Sequence, residues 1–134
     1  MSENSNKVFL GGTCNGSTWR DNLIPLLKTI DYFNPVVEDW NEECMAEEIK
    51  QRKTCDFCLY VITPKMTGVY SIAEAVDDSN KRPEKTIFCI MEEDDGEKFD
   101  KHQMKSLEQV GKMVKENEGI FLGLDELAFF LNNI

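Results

Sequence analysis

One histidine, His102, stands in a chain of 134 residues. It falls in the polar start of a C-terminal helix, so a catalytic triad built on imidazole is not expected. Basic residues are also in the minority, 15 against 25 acids, for a formal charge of −10. That balance opposes non-specific binding to a nucleic-acid polymer or to anionic lipid. No run approaches the ~20 consecutive apolar residues of a membrane span. The N-terminal MSENSNK has no apolar core, so no secretory leader is expected. The five cysteines are an odd number, which suits reduced thiols in a cytoplasm, packed mostly as small apolar residues. Cys55 and Cys58 have C-x-x-C spacing, but no second pair completes a zinc site. Their place between a helix and the next strand does not suit a thioredoxin-like motif. No metal or other cofactor is expected. The Walker lysine and the G-x-G-x-x-G fingerprint are both missing.

With 41 % apolar and 30 % charged residues, the composition is that of a globular core. The length suits one domain over 1–134, with residues 1–6 a frayed tail. Strands are expected at Lys7–Gly12, Phe33–Val37, Phe57–Thr63, Lys85–Met91 and Ile120–Phe121. Phe57–Thr63 (FCLYVIT) is the most apolar and suits a central strand, whereas Pro35 marks the second as an edge strand. Helices are expected from Trp19 onward, with Leu23, Leu26, Leu27 and Ile30 on one face and a kink at Pro25. Further helices fit Asn41–Thr54 with Cys44, Met45 and Ile49 inward, Thr67–Ser79, Phe99–Asn117 and Leu124–Leu131. The acidic stretch Glu92–Glu97 (EEDDGE) is expected as a solvated loop. The apolar LAFFLNNI tail is expected to close the core. Strict alternation of strand and helix implies βαβ units and a parallel five-stranded sheet. In such a sheet ligands bind beyond the carboxyl ends of the strands, where strand order reverses.

The loops after the strands therefore hold the candidate site residues. After the first strand, Gly11 and Gly12 allow close backbone approach, and Thr13 and Asn15 offer polar groups beside a helix start. After the second, Asp39 can bond sugar hydroxyls and Trp40 can stack on a base, with Trp19 and Tyr70 as further stacking or lid candidates. The third strand runs into Thr63, Met66, Gly68 and a helix carrying Tyr70, Ser71 and Glu74. Ser71 and Glu74, three apart, share one side of that helix. Glu74 is the candidate nucleophile or general base.

VFLGGT, FNPVVEDW and CDFCLYVITPKMTGVYSIAEAV followed by KTIFCI, over residues 7–91, resemble the nucleoside 2-deoxyribosyltransferase-like family. The resemblance implies a flavodoxin-like (Rossmann-type) three-layer α/β sandwich. It implies cleavage or transfer of the N-glycosidic bond of a nucleoside or its 5′-monophosphate, with a helix glutamate attacking the anomeric carbon. Taking Asp56 as the aspartate that opens the third strand puts Glu48 in the assisting acidic position. Ser71 then stands where family members carry the attacking glutamate, and Glu74 lies about one turn further on. The small-molecule partner would be a nucleoside or nucleotide, and a homo-oligomer is expected by resemblance. Two other functions share the architecture: a non-catalytic nucleotide-binding module, and a TIR-like enzyme that cleaves NAD.

Overall fold

A computed structural model describes residues 6–14, 16–37 and 41–134. The main sheet is built from β1 (Lys7–Gly12), β2 (Asp31–Phe33), β3 (Phe57–Ile62), β4 (Thr86–Ile90) and, last in the chain, β7 (Ile120–Gly123). All neighbours are parallel, in the order β2-β1-β3-β4-β7. Between β4 and β7 lies a small antiparallel hairpin, β5 (Glu93–Asp94) with β6 (Glu97–Lys98). The helices are α1 (Trp19–Leu23), α2 (Glu42–Thr54), α3 (Tyr70–Lys81), α4 (Lys101–Glu116) and α5 (Leu127–Asn132). This is the flavodoxin-like three-layer fold expected from the alternation of elements.

Side chains of the central strands alternate between two cores, as the two-residue repeat of a strand requires. Val8, Leu10, Leu59, Val61, Ile87 and Cys89 face one side, where Trp19 and Leu23 of α1 and Leu127 and Leu131 of α5 cover them. Phe9, Cys58, Tyr60, Ile62 and Phe88 face the other, against Ala75 of α3 and Leu107 and Val114 of α4. Both faces are covered, so the strands carry no polar stripe. The α4 helix lies so close to β7 that a Cβ on Gly111 would collide with the Phe121 ring. Asp100 caps α4 by accepting from the Gln103 N–H, while Gln103 returns a bond to the Asp100 N–H.

Some boundaries differ from the sequence reading. The second strand lies earlier, at Asp31–Phe33, because those residues match Lys7, Val8 and Phe9 in register. It is an edge strand, but it ends before Pro35, whose missing N–H cannot extend a ladder. The first helix is shorter: α1 gives way to a 3-10 turn at Ile24–Leu26 with Pro25 inside it. The α2 helix buries none of its residues, and Met45 and Ile49, expected to face inward, are largely exposed. The acidic stretch is a hairpin, because Asp95 and Gly96 both take positive φ, 50° and 84°. That pair of angles makes the tight two-residue turn. Asp94 is buried there and accepts a 2.6 Å bond from the Ser17 hydroxyl, so its charge is not simply solvated. The LAFFLNNI tail closes the core through Leu127 and Leu131, as expected, while Phe129 stays exposed.

Candidate active site

The strand order reverses between β1 and β3, and the ends of those two strands are fastened together. The Thr13 N–H donates to the Val61 carbonyl at 2.9 Å, and the Thr63 N–H donates to the Thr13 hydroxyl oxygen at 3.0 Å. At Gly12 the chain takes φ +113°, and a Cβ there would strike the Val61 backbone. Glycine is what lets β1 turn away so close to β3. Beyond this junction opens a cavity of about 630 Å³. Its floor is Gly11, Gly12, Thr13 and Ile62; α2 contributes Met45, Glu48, Ile49 and Arg52; the approach to α3 and its first turns contribute Met66, Gly68, Tyr70, Ser71 and Glu74.

Arg20 lies under the floor, only 4 % exposed. Its guanidinium donates to the carbonyls of Leu10 (2.9 Å), Thr13 (2.7 Å) and Gly12 (3.3 Å). These bonds hold the β1 loop in place, and burial pushes the Arg20 pKa down to about 10. The loop is also held from the far side, because Lys65 donates to the Gly16 carbonyl at 3.3 Å and pairs with Asp95 of the hairpin at 2.5 Å.

The charged wall is built by α2 and α3. Glu48 and Arg52 are one turn apart on α2, as are Glu74 and Asp78 on α3. Arg52 reaches across the gap: 3.2 Å to the Glu74 carboxylate, 2.9 Å to Asp78, and 3.1 Å from its Nε to the Tyr60 hydroxyl oxygen. Asp78 is fully buried and also accepts from the Tyr60 hydroxyl at 2.5 Å and from Arg82. The Glu74 side chain is 18 % exposed. Burial raises its carboxyl pKa to about 7; Arg52 lowers it, and Glu48 and Asp78 raise it again. No side chain caps the first turn of α3, so the positive end of that helix meets the cavity at Tyr70 and Ser71. The wall thus offers a carboxyl group that changes protonation near neutral pH, which is the property general acid, base or nucleophilic chemistry needs.

Nine of the candidate residues line this one cavity: Gly11, Gly12, Thr13, Glu48, Met66, Gly68, Tyr70, Ser71 and Glu74. Trp19 does not. It is buried in the α1 core, its indole N–H donating to the Thr13 carbonyl at 2.8 Å, so it is unable to stack on a ligand there. Thr63 is fully buried and acts through its backbone on Thr13. Asn15, Asp39 and Trp40 lie outside the described residues. Sequence reasoning missed Arg52, Asp78 and Arg20. Asp78 carried a signal, because it lies three residues after Ala75, on the face of α3 that must be buried. A charge at such a position calls for a partner, and the preceding helix supplies Arg52.

Cys55 and Cys58 are both buried and unpaired to each other, their thiols bonding Gln51 Oε1 (3.3 Å) and the Arg52 carbonyl (3.2 Å). Among the described residues no cluster of His, Cys, Asp and Glu is placed to hold a metal ion, and no helix is long and apolar enough to cross a membrane.

Comparison with known families decides the relationship. The model for a family described as nucleoside 2-deoxyribosyltransferase like matches residues 5–93, about two thirds of the chain. The chain belongs to that family. Its general setting is therefore nucleoside-related glycosyl transfer, with a nucleoside as the kind of molecule bound. The matched segment runs from β1 to just beyond β4 and contains the whole cavity lining. No curated protein and no solved structure gives a significant match.

Proposed function

We propose that this chain cleaves or transfers the N-glycosidic bond of a nucleoside or nucleoside 5′-monophosphate, with Glu74 as the carboxylate that meets C1′. The observation that carries this reading is the convergence of Glu48 and Glu74, from two helices, on one cavity at the reversal point of the sheet. Glycosidic cleavage passes through an oxocarbenium-like state, which a nearby anion stabilises and can trap. In the ionised form, a Glu74 oxygen bonds C1′ as the bond from C1′ to the base nitrogen breaks. The electron pair leaves with the base, which takes up a proton from an acid in the cleft. Water, or the nitrogen of a second base, then releases the sugar from the Glu74 ester. Glu48 is the assisting acid, and the exposed Tyr70 ring and the apolar Met45 and Ile49 suit a flat base.

A second reading has its own support. Ser71 stands where the resembling sequences carry a glutamate, and the Glu74 carboxylate is already engaged by Arg52 at 3.2 Å. On that reading the cavity binds a nucleotide without cleaving it. Chromatography separates the two. Incubation of the purified chain with deoxynucleosides, their 5′-monophosphates and NAD is expected to release free base from one of the first two groups. Ligand-induced stabilisation without any free base supports the binding module. Nicotinamide release from NAD alone points to the TIR-like activity.

A further inference from the structure

We infer that Arg52 is the positioning residue of this site, holding the Glu74 carboxylate at the cavity wall while Tyr60 and Asp78 hold Arg52. The inference rests on Glu74 being the working carboxylate, and it concerns a cavity-lining residue that is argued to act by holding Glu74. Three observations carry it. Arg52 uses all three guanidinium nitrogens: Nε on the Tyr60 hydroxyl, Nη1 on Glu74, and Nη2 on Asp78. A planar fork with fixed donor directions sets where each partner sits, which a lysine ammonium does not. The anchor is rigid, because Tyr60 is a central β3 residue and both it and Asp78 are fully buried. The anchor also spans three elements, α2, α3 and β3, so the distance between the two helices and the reach of Glu74 are set together.

The fork has an electrostatic consequence. Glu74 faces Glu48 and Arg52 from α2 and Asp78 from its own helix, while the Tyr60 hydroxyl of the sheet bonds Arg52 and Asp78. Burial, Glu48 and Asp78 all favour its protonated form, and Arg52 is the cation that opposes them. Without Arg52 the carboxyl would be protonated over more of the neutral range and unable to attack. Arg52 therefore sets both where Glu74 lies and how much of it is ionised.

The test is a carboxyl-carbon NMR titration of Glu74, assigned by its loss in Glu74→Gln, in the wild type, Arg52→Met and Arg52→Lys. Base release is followed over the same pH range. In Arg52→Met the Glu74 midpoint is expected to rise above its wild-type value, and in Arg52→Lys to return part of the way. Turnover is expected to drop about tenfold or more in Arg52→Met with KM changed by less than about threefold, the pattern of lost orientation rather than lost binding. Arg52→Met leaves buried Asp78 with fewer partners. If that variant does not fold, the double variant Arg52→Met/Asp78→Asn takes its place. The midpoint still rises there, because Arg52 outweighs Asp78 at Glu74. An unmoved midpoint in either folded variant overturns the inference, whether or not the wild type releases base. A raised midpoint in a chain that never releases base keeps Arg52 as the residue that holds Glu74 and removes the proposed activity.

Discussion

Arg52 and Glu74 meet at 3.2 Å across the gap between α2 and α3, on the wall of the cavity where the sheet reverses its order. An ion pair at that point has two effects. It directs a carboxylate toward the space a ligand would fill, and it offsets part of the cost of removing that carboxylate from water.

The protonation of Glu74 gives a pH dependence with a definite sign. Its carboxyl is raised from 4.5 to about 7, chiefly by burial. A nucleophile must be ionised, so kcat/KM is expected to climb as pH rises toward about 7 and to level off above it. Stability runs the other way. Between 4.5 and about 7 the folded chain keeps a proton on Glu74 that the unfolded chain has released. The Glu74 contribution to folding is therefore fully present below 4.5 and is lost as pH rises through about 7. Urea unfolding at a series of pH values is expected to lose on the order of 1–3 kcal/mol from this group over that window. Glu74→Gln should flatten that part of the curve. A rate that falls with pH through the same range would instead make Glu74 an acid.

Much of the architecture was legible. The apolar run FCLYVI, the glycine pair after VFL and the regular alternation of elements each point to a parallel sheet, and β1 and β3 lie where they were expected. The second strand was misplaced because FNPVV is the more apolar phrase. Register with β1 instead favoured DYF, and Pro35 stopped the ladder. The Asp95-Gly96 dipeptide is a strong turn signal that the charge of its neighbours obscured. Within the candidate site, Glu48, Ser71 and Glu74 were legible as acids and a hydroxyl on two helices, and the fold brings them to one cavity. The Arg52 fork was not, because it depends on how α2 and α3 face one another across β3, which no local spacing encodes. Trp19 was misread because a large aromatic beside a polar loop suits a ligand and a core equally well.

Gly12 is where the β1 junction is least tolerant. Gly12→Ala must place a Cβ against the Val61 backbone at φ +113°. The expected cost is about 2–4 kcal/mol, read as a lower urea midpoint with an unchanged slope. Gly16, with positive φ and open space around it, provides the control. Its alanine variant should lose less, because only backbone strain applies.

The hairpin holds the β1 loop through one buried carboxylate. In Asp94→Ala the Ser17 hydroxyl loses its 2.6 Å acceptor. The local cost is about 1–3 kcal/mol. Hydrogen exchange is expected to speed up at Ser17 and Thr18 and along β5 and β6, with β1, β3 and β4 unchanged. Equal acceleration throughout the sheet would mean that the hairpin supports the whole fold rather than the loop.

The five thiols should separate by burial. Cys14 is exposed and Cys44 half-buried, whereas Cys55, Cys58 and Cys89 are buried. Burial pushes the Cys58 and Cys89 thiols up to about 12. A disulfide reagent at neutral pH is expected to label Cys14 rapidly and these three only after unfolding. Fast labelling of Cys55 or Cys58 in the native chain would show that the junction between α2 and β3 opens.

The direct measurement is free-base release from deoxynucleosides and their 5′-monophosphates by the purified chain and by Glu74→Gln, with ligand binding followed in parallel. The expected result is release by the wild type and a loss of about a thousandfold or more in the variant, with affinity kept within a few fold. Release at the wild-type rate by Glu74→Gln, or no release by the wild type on any of these compounds, would contradict a carboxylate-driven glycosidic cleavage at this cavity.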